Sequence, residues 1–272
     1  MYFCIYKQKI KKSIMSTILR NSYVFGPIIS RRLGHSLGVN ASPVENKICN
    51  FNCVYCECGW NNSSKQQFPT SQEIKQQLEE KLKEVKTNNI PIDVITFSGN
   101  GEPTLNPNFT EIIDETIKIR NLLYPNIKIS VLSNATNLHN PEVLKALKKV
   151  DNPILKLDSA FDDTLNAINQ PISKTITVEK IVSGMKQFNG NFILQIMFIK
   201  GTWNNKVFDN TTAKEINALL DIMKQTKPRQ VMIYPIDRET PAKDLVKLDS
   251  SEMRRISKII EEAGYNVLAV GI

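Results

Sequence analysis

The amino-acid sequence predicts an α/β fold: a partial (β/α)6 parallel barrel of six strand–helix units. Three observations predict it. Short β-rich runs alternate with amphipathic helical segments from residue 37 to the end of the 272-residue chain, and parallel neighbours are the strands that need such crossover helices. The run 192–199 is apolar apart from Gln195, as expected of a strand covered on both faces. The most distinctive chemistry falls directly after strands, at the carboxyl ends where parallel barrels carry their reactive groups.

Residues 37–40 are the first expected strand. Residues 70–86 read as a helix, because Thr70 and Glu73 form a capping box and Ile74, Leu78, Leu82 and Val85 make one apolar stripe. Residues 93–98 (DVITFS) are the second strand. The next helix is expected to start at Asn106-Pro107, a cap followed by proline in the first turn, with Phe109, Ile112, Ile113 and Ile117 inward. Residues 127–132 are the third strand, and Asn140-Pro141 opens a helix carrying Leu144, Leu147 and Val150. Residues 154–157 are the fourth strand, 178–188 a helix with Ile181, Val182 and Met185, and 192–199 the fifth strand. Residues 213–224 are helical, 230–234 form the sixth strand, and 249–263 make a final helix stopped by Gly264. Residues 266–270 are a last strand. Six units fit an open barrel better than a closed eight-fold one.

At 41% hydrophobic residues the chain can bury a sizeable core, and 23% charged residues is ordinary for a folded protein. The net charge of +8 suits nucleic acid or another anionic partner, and it is also common in lysine-rich chains. No apolar run is long enough to cross a membrane. The stretch 1–15 is basic and lacks the apolar segment and cleavage site of a signal peptide. Residues 1–20 are therefore expected to be an N-terminal extension that need not be ordered, with Met1 or Met15 as the start. Residues 21–272 are expected to form a single domain, and the reducing cytoplasm is its expected home.

The strongest signal is Cys49-Asn50-Phe51-Asn52-Cys53-Val54-Tyr55-Cys56, a C-x3-C-x2-C run. It gathers three thiols on one short loop. Three thiolates can hold three irons of a cubic iron–sulfur cluster and leave the fourth open. Zinc competes, since Cys58 adds a fourth thiol, but four cysteines within ten residues strain a tetrahedral shell and no second knuckle follows. A disulfide fits poorly with five cysteines, an odd number, of which Cys4 lies far upstream. The second signal is Phe97-Ser98-Gly99-Asn100-Gly101-Glu102-Pro103, directly after the second strand. Its glycines let backbone approach a ligand, and Glu102 adds a carboxylate. By itself the stretch is also an ordinary turn composition.

Together these runs resemble the radical S-adenosylmethionine (radical SAM) superfamily. The triplet matches that superfamily's cluster motif, including the aromatic Tyr55 before the last cysteine. The run Gly99-Asn100-Gly101-Glu102-Pro103 resembles its glycine–glutamate–proline motif, with Asn100 where many members have glycine. The stretches 25–38 and 233–241 resemble the opening and ending of a subgroup similar to the wyosine-type tRNA synthases. The resemblance implies a radical SAM barrel and an enzyme in which Cys49, Cys53 and Cys56 hold a 4Fe–4S cluster. It implies reductive cleavage of S-adenosylmethionine and abstraction of a substrate hydrogen, with no catalytic residue beyond the cluster ligands. Tyr55, Ser98, Gly99, Asn100 and Glu102 are then expected at the cofactor, Glu102 and the 98–100 carbonyls receiving its ammonium. Ser133 and Asn134, and Asp158 and Ser159, end the third and fourth strands and are placed for ribose hydroxyls or the carboxylate.

An external electron donor such as flavodoxin or ferredoxin is implied. The substrate is tRNA, or alternatively a peptide, protein or small metabolite; a non-enzymatic zinc module is the minor alternative. Lys156 and Lys200 are expected to point outward at their strand ends. Arg31 and Arg32 are read as partners of a barrel carboxylate or, alternatively, as a clamp on a substrate phosphate or the cofactor carboxylate, Asp237 and Arg238 as substrate-side residues, and His35 as packed or hydrogen-bonded rather than a ligand.

Overall fold

The computed structural model describes residues 18–62 and 67–271. Most of the expected extension, with Cys4, lies outside the described residues. Residues 18–20 are half-buried, the Ile18 N–H donating to the Glu57 carbonyl at 3.0 Å and the Arg20 N–H to Asn100 Oδ1 at 2.7 Å.

The chain opens with a hairpin of β1 (Val24–Ser30) and β2 (Gly34–Val39). There follow α1 (Ser71–Thr87), β3 (Val94–Phe97), α2 (Phe109–Leu123), β4 (Lys128–Ser133), α3 (Pro141–Lys149), β5 (Asn152–Lys156), α4 (Asp162–Asn169) and α5 (Val178–Lys186). The rest comprises β6 (Ile193–Met197), β7 (Lys200–Trp203), β8 (Lys206–Asp209), α6 (Ala213–Thr226), β9 (Gln230–Tyr234), β10 (Leu245–Val246), α7 (Ser250–Glu262) and β11 (Val267–Ala269). Eight strands form one sheet in the order β1-β2-β3-β4-β5-β6-β9-β11. Only β1 runs antiparallel to its neighbour; every later pair is parallel. The sheet curls into a half-barrel, the expected partial barrel.

Each expected strand and helix is present, with shifts at the ends. The capping box at Thr70 and Glu73 forms, and α1 buries Ile74, Leu78, Leu82 and Val85, each side chain contributing about 2 kcal/mol. The second helix starts later than expected, at Phe109 rather than Asn106-Pro107. Asn106 is spent elsewhere: its amide donates to the Ala41 and Pro69 carbonyls at 2.9 and 3.0 Å, tying together the loops below the site. Three features were not expected: α4, strand β1, and a small antiparallel sheet in the order β10-β7-β8.

Register sorts the side chains of the large sheet into two faces. Leu37, Ile95 and Ile129 lie side by side, as do Leu155, Leu194 and Val231, and all belong to the core shared with the helices. The opposite, concave face carries Ser36, Thr96, Ser130 and Asn152. Ser36 Oγ donates to Thr96 Oγ1 at 2.7 Å and Asn152 Nδ2 to Ser130 Oγ at 3.0 Å. A separate apolar cluster of Ile154, Ile193 and Met232 sits on this face, with Leu33 from the β1–β2 turn packed against it. The hairpin tip thus crosses the concave side: Arg32 lies 4.9 Å over the Tyr234 ring and Arg31 pairs with Asp237 at 2.9 Å.

Candidate active site

The cysteines sit in the loop between β2 and α1, and three neighbouring segments fix that loop. Ile48 bridges Gly101 after β3. The Asn52 and Val54 N–H groups donate to the Asn169 and Ile168 carbonyls at the end of α4, both at 2.9 Å. The Ala242 N–H donates to the Val54 carbonyl at 3.1 Å. Cys49, Cys53, Cys56 and Cys58 are free thiols. Polar hydrogens are aimed at two of the sulfurs. The Phe51 N–H and the Asn134 amide approach Cys49 Sγ at 3.4 and 3.6 Å, and the Asn169 amide approaches Cys53 Sγ at 3.3 Å.

Burial pushes the Cys49 and Cys53 thiols up. Cys56 is pulled down to about 5, chiefly by a hydrogen bond from the Cys58 side chain, against burial and with help from Lys47. Cys58 is pushed up by that same bond and by burial, and also lies 3.6 Å from the Gly99 carbonyl. The Cys58 thiol donates to that carbonyl. Among the described residues, no three His, Cys, Asp or Glu side chains converge on a point suited to a single metal ion.

The glycines after β3 serve close approach of backbone to backbone. A Cβ on Gly101, where φ is +133°, would lie 1.8 Å from the Ile48 carbonyl oxygen, and one on Gly99 would lie 2.0 Å from Asn40 Oδ1. Asn100 is fully buried; its amide donates to the Arg20, Pro43 and Val44 carbonyls and its own carbonyl accepts from the Ile48 N–H at 2.9 Å. Glu102 is buried and accepts from Thr104 N and Oγ1, Ser133 Oγ and Asn134 N, at 3.2, 2.6, 2.8 and 2.7 Å. Burial pushes its carboxyl up, and these donors draw it only partly back. Asn100 and Glu102, expected to face the cofactor, have their polar atoms engaged within the wall. The Gly99 carbonyl faces the cysteine loop through Cys58. Ser133 and Asn134 are brought to Glu102 on one side, and Asn134 to Cys49 on the other.

The ends of β5 and β9 hold a second polar group. Asp158, fully buried, accepts from Asn169 Nδ2 at 2.6 Å, from the Met197 N–H at 2.9 Å and from the Tyr55 hydroxyl. Lys156 donates to the Tyr55 and Tyr234 hydroxyls at 2.6 and 2.7 Å and lies 3.7 Å from Asp158. Lys156 therefore points inward, against the outward expectation. It alternates along β5 with Leu155, which faces the helices, so strand period alone places it on the concave side. Burial opposes its charge, yet Asp158 and Tyr234 hold its pKa above the ordinary lysine value. Ser159 is buried and donates to Glu215 Oε2 at 2.8 Å, away from this group.

Of the other expectations, Lys200 does pair outward, with Glu252 at 3.0 Å. His35 is hydrogen-bonded to Asp93 at 3.0 Å. Arg31 pairs with Asp237, and Arg238 pairs with Glu57 of the cysteine loop. Sequence reasoning missed Lys47, Asn169 and Tyr234. Tyr234 closes the sixth strand two residues beyond Met232, which is level with Lys156 across β6, so strand period puts it on the same concave face; Asn169 lies in the unforeseen α4.

A family model described as Radical SAM superfamily matches residues 46–227. Over 242 residues the chain is 34% identical to a UPF0026 protein of Helicobacter pylori, covering 88% of this chain and 73% of that relative. Over 247 residues it is 31% identical to a Brachyspira hyodysenteriae protein called GTPase Obg, covering 89% of this chain. It spans only 34% of that relative's length. In fold it is similar to a radical SAM methyltransferase from Sphaerobacter thermophilus, with a TM-score of 0.64 at 14% identity, covering 86% of this chain and 65% of that one. It is also similar to TYW1 with a lysine–pyruvate adduct bound, with a TM-score of 0.58 at 14% identity, covering 85% of this chain and 74% of that one. The chain belongs to the Radical SAM superfamily of enzymes and, within it, groups with the UPF0026 proteins. No helix among the described residues is long and apolar enough to cross a membrane.

Proposed function

We propose that Cys49, Cys53 and Cys56 hold a 4Fe–4S cluster and that the enzyme reductively cleaves S-adenosylmethionine there. The observation that supports this most is three free thiols on one loop, with backbone and side-chain N–H groups aimed at two of their sulfurs. Such hydrogen bonds belong to the usual surroundings of cluster sulfurs. The chemistry such a group supplies is one-electron cleavage of the sulfonium, giving a 5′-deoxyadenosyl radical that takes a hydrogen from substrate.

The chain's own residues do the positioning. Glu102 locks the ends of β3 and β4 together through Ser133 and Asn134, so Asn134 is held against Cys49. Asn100 fastens the same loop to residues 20, 43 and 44. The Gly99 carbonyl lies 3.6 Å from Cys58 Sγ; it and the Ser98 carbonyl are the proposed acceptors for the methionine ammonium. Lys156, with Tyr55, Tyr234 and Asp158, offers a cation and hydroxyls toward the concave side, suited to the cofactor's carboxylate and ribose. Ser159 supports this end through Glu215.

An external one-electron donor of the flavodoxin or ferredoxin class is required, and the reducing cytoplasm suits the thiols. An RNA substrate is the reading supported by the net charge of +8 and by the resemblance of stretches 25–38 and 233–241 to the wyosine-type tRNA synthase subgroup. The enzyme reading is tested by anaerobic reconstitution followed by reduction with dithionite. Iron, labile sulfide and 5′-deoxyadenosine are expected; zinc without sulfide would reject it. Affinity for tRNA should be greatest at low salt, and its absence there removes the RNA reading.

A further inference from the structure

Lys47 stands two residues before Cys49 and is 3% exposed. Its ammonium donates to the Gly59 carbonyl at 2.9 Å. The Gly59 N–H in turn donates to the Cys56 carbonyl at 2.9 Å, so the ammonium lies against the turn that carries Cys56, with the Cys56, Cys53 and Cys49 sulfurs near enough to act on its charge. No ion pair between Lys47 and a carboxylate is found among the described residues, whereas the less enclosed Lys156 has Asp158 at 3.7 Å. Burying an ammonium beside one neutral carbonyl is strongly unfavourable unless another negative group offsets it. Around Lys47 the groups able to carry that charge are cysteine sulfurs.

We propose that Lys47 is the counter-charge of the iron–sulfur cluster, its ammonium sealed against the Gly59 carbonyl in the turn after Cys56 and tuning how readily the cluster accepts its electron. This rests on the cluster reading above. An oxidised cubic core with three thiolates carries one net negative charge, and one electron from a flavodoxin- or ferredoxin-class donor makes it two. The donor is oxidised by one electron, the cluster is reduced by one, and no proton or leaving group moves. A fixed cation at this site favours the more negative state, because net charge and hydrogen bonds to the sulfurs set such potentials. A unit charge a few ångströms away shifts a one-electron equilibrium by about tenfold or more at the effective dielectric of a protein. Lys47 is a positioning residue in this role; it need not touch substrate.

The competing explanation is a mechanical brace that holds Gly59, and through it the turn after Cys56, whose carbonyl accepts from the Gly59 N–H at 2.9 Å. Charge and brace separate in the full-length, anaerobically loaded protein. Iron and labile sulfide are measured first in the wild type; their absence overturns the cluster reading itself. The reduced-to-oxidised ratio of the cluster is then followed by electron paramagnetic resonance at fixed poise in wild type, Lys47→Met and Lys47→Arg. Lys47→Met should lower the ratio about tenfold, which for a one-electron couple is 59 mV, and Lys47→Arg should stay near wild type. An unmoved ratio in loaded Lys47→Met overturns the role of Lys47 and leaves the cluster reading intact. If Lys47→Met folds without a cluster, or does not fold, Lys47→Arg decides. Wild-type iron content and ratio in Lys47→Arg support the charge. Loss of cluster, loss of fold or a shifted ratio in Lys47→Arg makes Lys47 a brace and overturns the proposal.

Discussion

Two buried carboxylates flank the cysteine loop, and they are held in opposite ways. Glu102 is enclosed by neutral donors from its own turn and from the end of β4. Asp158 sits beside a cation, Lys156, and shares it with two phenols. The first arrangement is complete without a ligand and fixes two strand ends relative to Cys49. The second holds an inward-pointing ammonium on the concave face, where a bound carboxylate or hydroxyl could join it. The β3–β4 side is thus closed by its own hydrogen bonds, whereas the β5–β9 side keeps a charged group on the concave face.

The comparison breaks most visibly at Asp158. Asp158→Ala leaves Lys156 buried without its counter-charge and should destabilise the fold by about 3–5 kcal/mol, measured by denaturant unfolding. The double variant Asp158→Asn with Lys156→Met should recover much of that loss, because a neutral pair of similar size removes the unmatched charge. No recovery would mean that the two residues are not a coupled pair.

Glu102→Gln should cost less, about 2 kcal/mol, since an amide keeps one acceptor but turns an NH2 toward donors. It should also alter the pH dependence with a definite sign. Burial raises the Glu102 pKa in the folded state, so the folded chain holds that proton more tightly than the unfolded chain. Stability from this group is therefore lost as pH rises from the ordinary glutamate range through the raised value. The advantage of wild type over Glu102→Gln should shrink across that window; an advantage that grows with pH would contradict the assigned direction.

Smaller effects sharpen the picture. Tyr234→Phe removes one hydrogen bond from Lys156 and should cost about 1 kcal/mol, with a larger effect on cofactor affinity than on stability if the β5–β9 side carries the ligand. Arg31→Ala breaks an exposed pair with Asp237 and should change stability by less than about 1 kcal/mol. A large loss there would show that the hairpin tip is clamped by more than its packing of Leu33.

Much of this was legible in the chain. Period-two and helical patterns located the barrel strands, and Thr70–Glu73 and Asn140-Pro141 marked helix starts because their side chains cap locally. Asn106-Pro107 misled because the same residue types can instead satisfy carbonyls of distant loops, as Asn106 does. Strand β1 carries Gly26-Pro27 and a bulge, so it lacks clean alternation, and α4 lacks a side-chain cap at Phe161. At the site, the cysteine run was unmistakable. That Glu102 and Asn100 turn inward on their own wall could not be read, because their partners lie 31 and 80 residues away along the chain.

The most direct measurement is metal and sulfide content of the anaerobically loaded protein, with its paramagnetic signal, in wild type and in single alanine variants of Cys49, Cys53, Cys56 and Cys58. The first three variants should lose the 4Fe–4S signal and all cleavage of S-adenosylmethionine. Cys58→Ala should keep both, with a signal that still changes when S-adenosylmethionine is added. A cluster that disappears in Cys58→Ala, or zinc bound without sulfide in the wild type, would contradict three-point anchoring.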